Sequence, residues 1–247
     1  MEILGVRVDE LDKKETEAAV GKLIAAFRNE GKCGNQIVTI NPEGIWLAKE
    51  DPRLRDIVAE AAIVTADGSD VLWAAEKMGH PLRERVTGVE LTYRLCELAA
   101  EKGWRIFLLG AVEGIAKAAA GELCRMYEGL QIVGVDNGYF RDREEEVLAE
   151  ISAAKPDILF AALGMPFQEK WLYEHKDRLS AGVMIGVGGS FDVISGMVRR
   201  APVWMQKMRL EWLWRLLSDP KRWRRYLVIP RFMSAVKKEC RNAEQHS

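Results

Sequence analysis

The chain has 247 residues, 48% of them hydrophobic, and its 30% of charged residues nearly cancel to a net charge of −1. Length and composition together argue against a disordered protein and fit one α/β domain carrying an appendage, or two small domains. Cys33, Cys96, Cys124 and Cys240 are widely spaced with no CxxC pair, which argues against a zinc ribbon or a disulfide scaffold and suits small buried hydrophobes in a reducing compartment. The first residues, MEILGVRVDELD, lack a basic stretch followed by an apolar one, and no apolar run approaches the length of a membrane span, so the protein is expected to stay inside the cell.

In chain order, Val20, Leu23, Ile24 and Phe27 fall at helical spacing, and QIVTI (Gln36 to Ile40) is a short β-branched run. A helical stretch through Trp46 and Ile57 leads to AIVTADG, after which a helix is expected to start near Val71, with Asp67 available as its cap. A helix through Leu91, Leu95 and Leu98 precedes WRIFLLG. An Ala-rich helix, the run LQIVGV, an acidic helix from Arg143 to Ala154, DILFAALG and VMIGVGG complete the alternation. Strands this apolar, separated by helices, predict an α/β fold with a mostly parallel, Rossmann-like sheet flanked by helices on both faces. The composition shifts at about Arg199, dividing an α/β core (1–198) from a basic, Trp-rich helical appendage (199–247).

In open α/β sheets ligands bind beyond the carboxyl ends of the strands, so the polar residues ending each apolar run are the candidates. They are Thr39 and Asn41, Asp67, Gly110, Asn137 and Tyr139, Gly164 and Gln168, and Gly188, Gly189, Ser190 and Asp192. Each alone reads as a turn-former or cap; their shared position on one edge is what points to a site. GVGGSFD resembles a phosphate-cradling loop without being GxGxxG, and GAVEG lacks the Lys-Ser/Thr pair of a P-loop. His80, His175 and His246 are scattered and no DxD pair occurs, so neither a metal nor a cofactor is expected and phosphate charge falls to arginines and helix dipoles.

The charge is unevenly distributed. From Arg199 to Arg241 there are 13 Lys and Arg against 3 Asp and Glu, whereas the rest of the chain has 23 against 34. An acidic main domain with a basic tail implies an anionic partner: phospholipid, nucleic acid or a phosphorylated ligand. Between Arg209 and Phe232, three tryptophans stand among seven basic residues. Trp212, Leu213, Leu216 and Leu217 form an apolar stripe, and Asp219 and Pro220 supply an N-cap and first position for a second helix that begins with Lys221, Arg222, Arg224 and Arg225. Cations in a first helical turn oppose the helix dipole, so they are better explained by an anion bound there than by helix stability. A core-packing helix pair with snorkelling arginines is the structural alternative, and stacking of single-stranded nucleic acid on the aromatics is a further one.

TINPE (Thr39 to Glu43), TADG (Thr65 to Gly68), RVTG (Arg85 to Gly88), GMPFQEKW (Gly164 to Trp171), GVGGSFDVISG (Gly186 to Gly196), RAPVW (Arg200 to Trp204) and LEWLWRLLSDPKRWRRY (Leu210 to Tyr226) occur in this order. Together they resemble the WecG/TagA/CpsF family of glycosyltransferases over about residues 1 to 232. The resemblance implies an α/β core with a C-terminal appendage. It also implies metal-independent, inverting transfer of N-acetylmannosamine, or its acid, from UDP to N-acetylglucosamine on undecaprenyl diphosphate, as in the teichoic acid linkage unit. It makes Asp67 the general base. Thr39 and Asn41 then line the sugar site, Arg85 meets phosphate or acceptor, and Gln168 with the glycine loop holds the nucleotide sugar. Arg215, Arg222 and Arg225 bind the diphosphates, while the tryptophans and remaining cations sit on the cytoplasmic face of the membrane as a peripheral anchor. The pattern departs at Phe167, where the family usually has a basic residue, and at Asn137, where histidine is frequent. Nucleic acid is not an expected partner on this reading, and homo-oligomerisation stays open. A binding module that senses nucleotide sugars without turning them over is the remaining alternative.

Overall fold

A short antiparallel hairpin, β1 (Glu2–Ile3) and β2 (Val6–Arg7), precedes six strands: β3 (Asn35–Ile40), β4 (Ile63–Ala66), β5 (Arg105–Gly110), β6 (Gln131–Asp136), β7 (Ile158–Ala162) and β8 (Val183–Gly186). The six form one sheet in the order β4-β3-β8-β7-β5-β6, with every neighbouring pair parallel, as the alternation of strands and helices predicts. The helices are α1 (Lys13–Glu30), α2 (Pro42–Glu50), α3 (Pro52–Glu60), α4 (Ser69–Lys77), α5 (Gly88–Lys102), α6 (Ile115–Met126), α7 (Glu144–Ala154), α8 (Phe167–His175), α9 (Ser190–Ile194) and α10 (Val228–Gln245). The structure is a computed structural model that describes residues 1–198, 202, 205, 214 and 227–245. The stripe of Trp212, Leu213, Leu216 and Leu217, the Asp219-Pro220 cap, and Arg215, Arg222 and Arg225 lie outside the described residues.

Strand side chains alternate between the two faces, and both are covered. Ile37, Ile106, Leu108, Phe160 and Ile185 pack with α1, α5, α6 and α9. On the other face Val38, Ile40 and Val64 meet α2, α3 and α4, while Phe107, Leu109, Leu159 and Met184 meet α7 and α8. Phe232 and Val236 of α10 are fully buried in the cluster with α2 and α4. Further along α10, the Cys240 thiol donates to the Lys77 carbonyl at the end of α4. Because Cys240 sits at the end of α4 while the residues one and two turns earlier are buried over α2 and α4, the first turn of α10 is directed toward the ends of the sheet from which those two helices start.

Local chemistry explains the element boundaries. Asp12 and Glu15 form a reciprocal capping box on α1, and Gly31 ends it in the left-handed conformation. The helical stretch expected through Trp46 and Ile57 is two helices. Pro52 has no N–H to continue α2 and forces the preceding residue out of helical backbone; Asp51, at φ −111° and ψ 101°, ends α2 and caps α3 by accepting from Arg53 N and Leu54 N. The helix expected to start near Val71 begins two positions earlier. α4 begins at Ser69 behind an N-cap, Gly68, that has no side-chain hydrogen bond, so Asp67 is not its cap.

Opposite the functional edge, the Asp157 carboxylate accepts from Nε and Nη2 of Arg28 and from the backbone N–H of Arg105, each at 2.7 Å. It thereby ties α1 to β5 and β7. The Asp157 side chain is 4% exposed and that of Arg28 is 40% exposed, so loss of the carboxylate strands one backbone donor and leaves the arginine partly hydrated. Asp157→Ala is expected to cost about 2–3 kcal/mol of unfolding free energy, read from the urea midpoint at unchanged slope.

Candidate active site

The chain order of the strands leaves a crevice at their carboxyl ends. β5 leads outward to β6 while its neighbour β7 leads back to β8, so the connections diverge between β5 and β7. At this point Gly110 has φ +126°, and a Cβ there would lie 2.5 Å from the Ala162 carbonyl oxygen, so only glycine fits. Ala111, itself left-handed at φ 58°, donates to Ala162 O at 2.9 Å and accepts from Gly138 N at 2.8 Å. Those bonds hold the turn after β6 against the crevice. Asn137 closes that turn by accepting from Tyr139 N at 2.8 Å, and Tyr139 is 74% exposed on the rim. Phe167 is 40% exposed on the same side, with the Arg141 guanidinium 6.0 Å from its ring centroid. Phe at this position therefore still borders a cation, supplied from the turn after β6.

Gln168 occupies the middle of the edge. Its carbonyl oxygen accepts from Gly164 N at 3.0 Å and Gly188 N at 3.2 Å, and its amide nitrogen donates to Glu169 Oε1 at 2.8 Å. The side chain is buried and clamps the loop after β7 to the loop after β8. Beyond it, Ser190 donates to Val187 O at 2.6 Å, and Gly189 is the N-cap of α9, whose first turn carries Asp192.

The far half of the edge is built on β3 and β4. Thr39 donates to Gly186 O at 3.0 Å, joining β3 to β8, and Asn41 caps α2 by accepting from Gly44 N at 2.8 Å. Next to them, Asp67 follows β4, with its backbone N–H on Ile40 O and its Oδ2 accepting from Gly88 N at 3.2 Å. Gly88 is the first residue of α5, so this carboxylate is oriented by the N-terminus of α5 and not by α4. The segment that delivers α5 runs back along β4: Val86 N donates to Ala66 O and Thr65 Oγ1 to Val86 O. Arg85, on that segment, lies 3.7 Å from Glu90 and is 22% exposed.

The structure thus brings Thr39, Asn41, Asp67 and Arg85 together around β3 and β4, and Gly110, Asn137, Tyr139 and Gly164 around β5 to β7. Gln168 and the Gly188 to Asp192 loop lie between the two groups. Arg215, Arg222 and Arg225 are outside the described residues. Among the described residues no three His, Cys, Asp or Glu side chains converge as a metal-binding group.

Sequence reasoning missed Gly88 and Glu169. Gly88 lies 21 residues beyond its partner Asp67, so only the fold brings the two together. Glu169 had a signal: it stands three residues before Leu172, a spacing that puts both on the inward side of α8. Burial pushes the Glu169 carboxyl up to about 7, and no neighbouring charge contributes. The charged groups across the contact with α3 pair among themselves, Lys170 with Asp51, Arg53 with Glu174 and Lys176 with Glu60. With its folded-state value above the unfolded one, Glu169 binds more protons in the native state. Its contribution is therefore complete below about pH 4.5 and is lost as pH rises through about 7, an effect on the order of 3 kcal/mol. Denaturant midpoints compared between pH 5 and 8.5 should show Glu169→Gln losing part of the wild-type fall in stability over this range.

Comparison with known proteins identifies the family. The family model described as "Glycosyl transferase WecG/TagA/CpsF family" matches residues 1–246. A protein of Bacillus spizizenii is 36% identical over 242 residues, covering 97% of this chain and 93% of its own length. One of Bacillus subtilis is 37% identical over 85% of this chain and 82% of its own, and one of Staphylococcus aureus is 32% identical over 99% and 95%. All three are named N-acetylglucosaminyldiphosphoundecaprenol N-acetyl-beta-D-mannosaminyltransferase. With the fold, the ordered motifs and the full-length match in agreement, the chain belongs to the WecG/TagA/CpsF family of glycosyltransferases.

Proposed function

We propose that the protein transfers N-acetylmannosamine, or a closely related sugar, from UDP to the N-acetylglucosamine of an undecaprenyl-diphosphate acceptor, with inversion and without a metal ion. The relatives' shared name supports the transferred sugar and the acceptor, and the product suits the linkage unit of a teichoic acid. The observation that carries the reading is the placement of Asp67 at the end of β4, beside Thr39 and Asn41 and oriented by Gly88 N. In the proposed step an acceptor hydroxyl oxygen attacks the anomeric carbon and its proton passes to Asp67. The bond from that carbon to the diphosphate breaks, and UDP leaves with the electron pair. Thr39 and Asn41 already anchor the scaffold through one oxygen each, which fixes where their remaining polar atoms point toward the sugar. The nucleotide occupies the crevice between β5 and β7, bounded by Tyr139, Gly164 and the Gly188 loop.

Segment 199–247 supplies the rest of the site and the membrane contact. The chain leaves the described core at Val198, directly after α9, and rejoins it at α10, whose first turn is directed to the same edge. Arg215, Arg222 and Arg225 lie between these two points and offset the charge of the diphosphates. No helix of the described residues is long and apolar enough to cross a membrane; the basic, tryptophan-rich segment acts as a peripheral anchor on the cytoplasmic face.

Asp67→Asn keeps the shape of the side chain but cannot take up the proton. It is expected to lower turnover by about 10²- to 10⁴-fold while UDP affinity and the unfolding temperature stay near wild type; turnover close to wild type would remove Asp67 from the mechanism. If arginines do the work of a metal, transfer to a short-chain diphosphate acceptor survives excess EDTA and collapses when Arg215, Arg222 and Arg225 are changed together to Ala. Loss of activity on chelation, restored by Mg²⁺, would show the opposite. The arginine variant is a sounder test than truncation after Val198, because truncation also removes Phe232 and Val236 from the core.

A further inference from the structure

Glu169 lies in the first turn of α8 with 1% of its surface exposed, and its Oε2 meets no hydrogen-bond donor. A buried carboxyl with an unmatched oxygen is costly, so packing alone does not account for it. The other oxygen does. Oε1 accepts from Gln168 Nε2 at 2.8 Å, and an amide held by its nitrogen in this way must turn its carbonyl oxygen to the opposite side. There the Gln168 oxygen accepts from Gly164 N at 3.0 Å and Gly188 N at 3.2 Å. Rotated by half a turn, the amide would aim N–H groups at two backbone N–H donors and an oxygen at a carboxyl, losing all three contacts together.

The surroundings hold the pair in place. The Glu169 carbonyl accepts from Gln36 Nε2 at 3.1 Å, a bond from β3 that fixes the backbone of this turn. On β8, a Cβ at Gly186 would lie 2.5 Å from Gln168 Nε2 and 2.8 Å from Glu169 Oε1, so the strand carries no side chain where the two residues meet. We propose that Glu169 is a positioning residue, whose carboxyl fixes the orientation of the Gln168 amide and thereby the spacing of the Gly164 and Gly188 loops. Its effect on the donor site rests on the reading above, that these loops hold the nucleotide sugar; the bracket itself does not.

Amide hydrogen exchange on the full chain, with UDP titrated by calorimetry, tests both parts. Glu169→Met removes the acceptor at similar volume. It should speed exchange at Gly164 and Gly188 at least about tenfold, the loss expected when one such hydrogen bond fails, while amides inside β7 and β8 keep their wild-type rates and UDP binds several-fold more weakly. Gln168→Glu alone sets two carboxyls against each other and should act likewise. Adding Glu169→Gln to it restores all three hydrogen bonds with one donor and acceptor exchanged, and should return both amides to within about threefold of wild type. Wild-type exchange in Glu169→Met, or no recovery in the double variant, would overturn the proposal. So would uniform acceleration across the sheet, which marks a role in folding alone. If the wild-type protein binds no UDP, the donor reading fails and the exchange rates decide the bracket by themselves.

Discussion

The sheet has helices on both faces, and this constraint orders the rest of the molecule. A parallel strand buried on two sides has no position for an unpaired polar side chain, because each such group would forfeit its hydration without compensation. Val38, Leu108, Phe160 and Ile185 are accordingly fully buried. Polar chemistry is displaced to the strand ends, where the chain turns into a helix and backbone N–H groups lack partners of their own. All strands of the large sheet being parallel, these ends lie on one edge. Residues from Thr39 to Asp192 thus share a surface despite their separation in sequence.

On that edge the scaffold already engages atoms that the proposed chemistry would use. Asn41 spends its oxygen on α2, Thr39 its proton on β8, Ser190 its proton on Val187, and Gln168 its oxygen on two loops and an N–H on a neighbouring carboxyl. Such commitments orient side chains before any ligand arrives, which is the form of preorganisation that the proposed transfer needs. Asp67 fits the same pattern: the contact with Gly88 N orients one carboxylate oxygen and couples it to a helix on the opposite face of the sheet from α4.

The basic segment is followed by α10, which packs into the core. Had the chain simply trailed away after α9, its charge would be independent of the core. Instead Phe232 and Val236 are buried with α2 and α4, the two helices that begin beside Asn41 and Asp67. The appendage therefore ends in a part of the hydrophobic core. The segment between α9 and α10 carries a net positive charge, against an otherwise acidic protein.

The sequence by itself determined the parallel α/β architecture, because uninterrupted runs such as IFLL and ILFAA tolerate no solvent face, and it pointed to the candidate edge, because Gly, Asn, Asp and Thr recur where those runs stop. It also carried the family, through motifs in a fixed order. Local chemistry read without the fold misled where two explanations were available: Asp67 was an equally good cap for α4, and Trp46 to Ile57 an equally good single helix until Pro52 and Asp51 acted together. What only the tertiary structure decided were pairings across long intervals of chain. The contact of Asp67 with Gly88, the bracket of Gln168 between Gly164 and Gly188, and the burial of Phe232 beside α2 each depend on strand order. Strand order is set by how all the helices share the two faces, a property of the packed whole that no local pattern records.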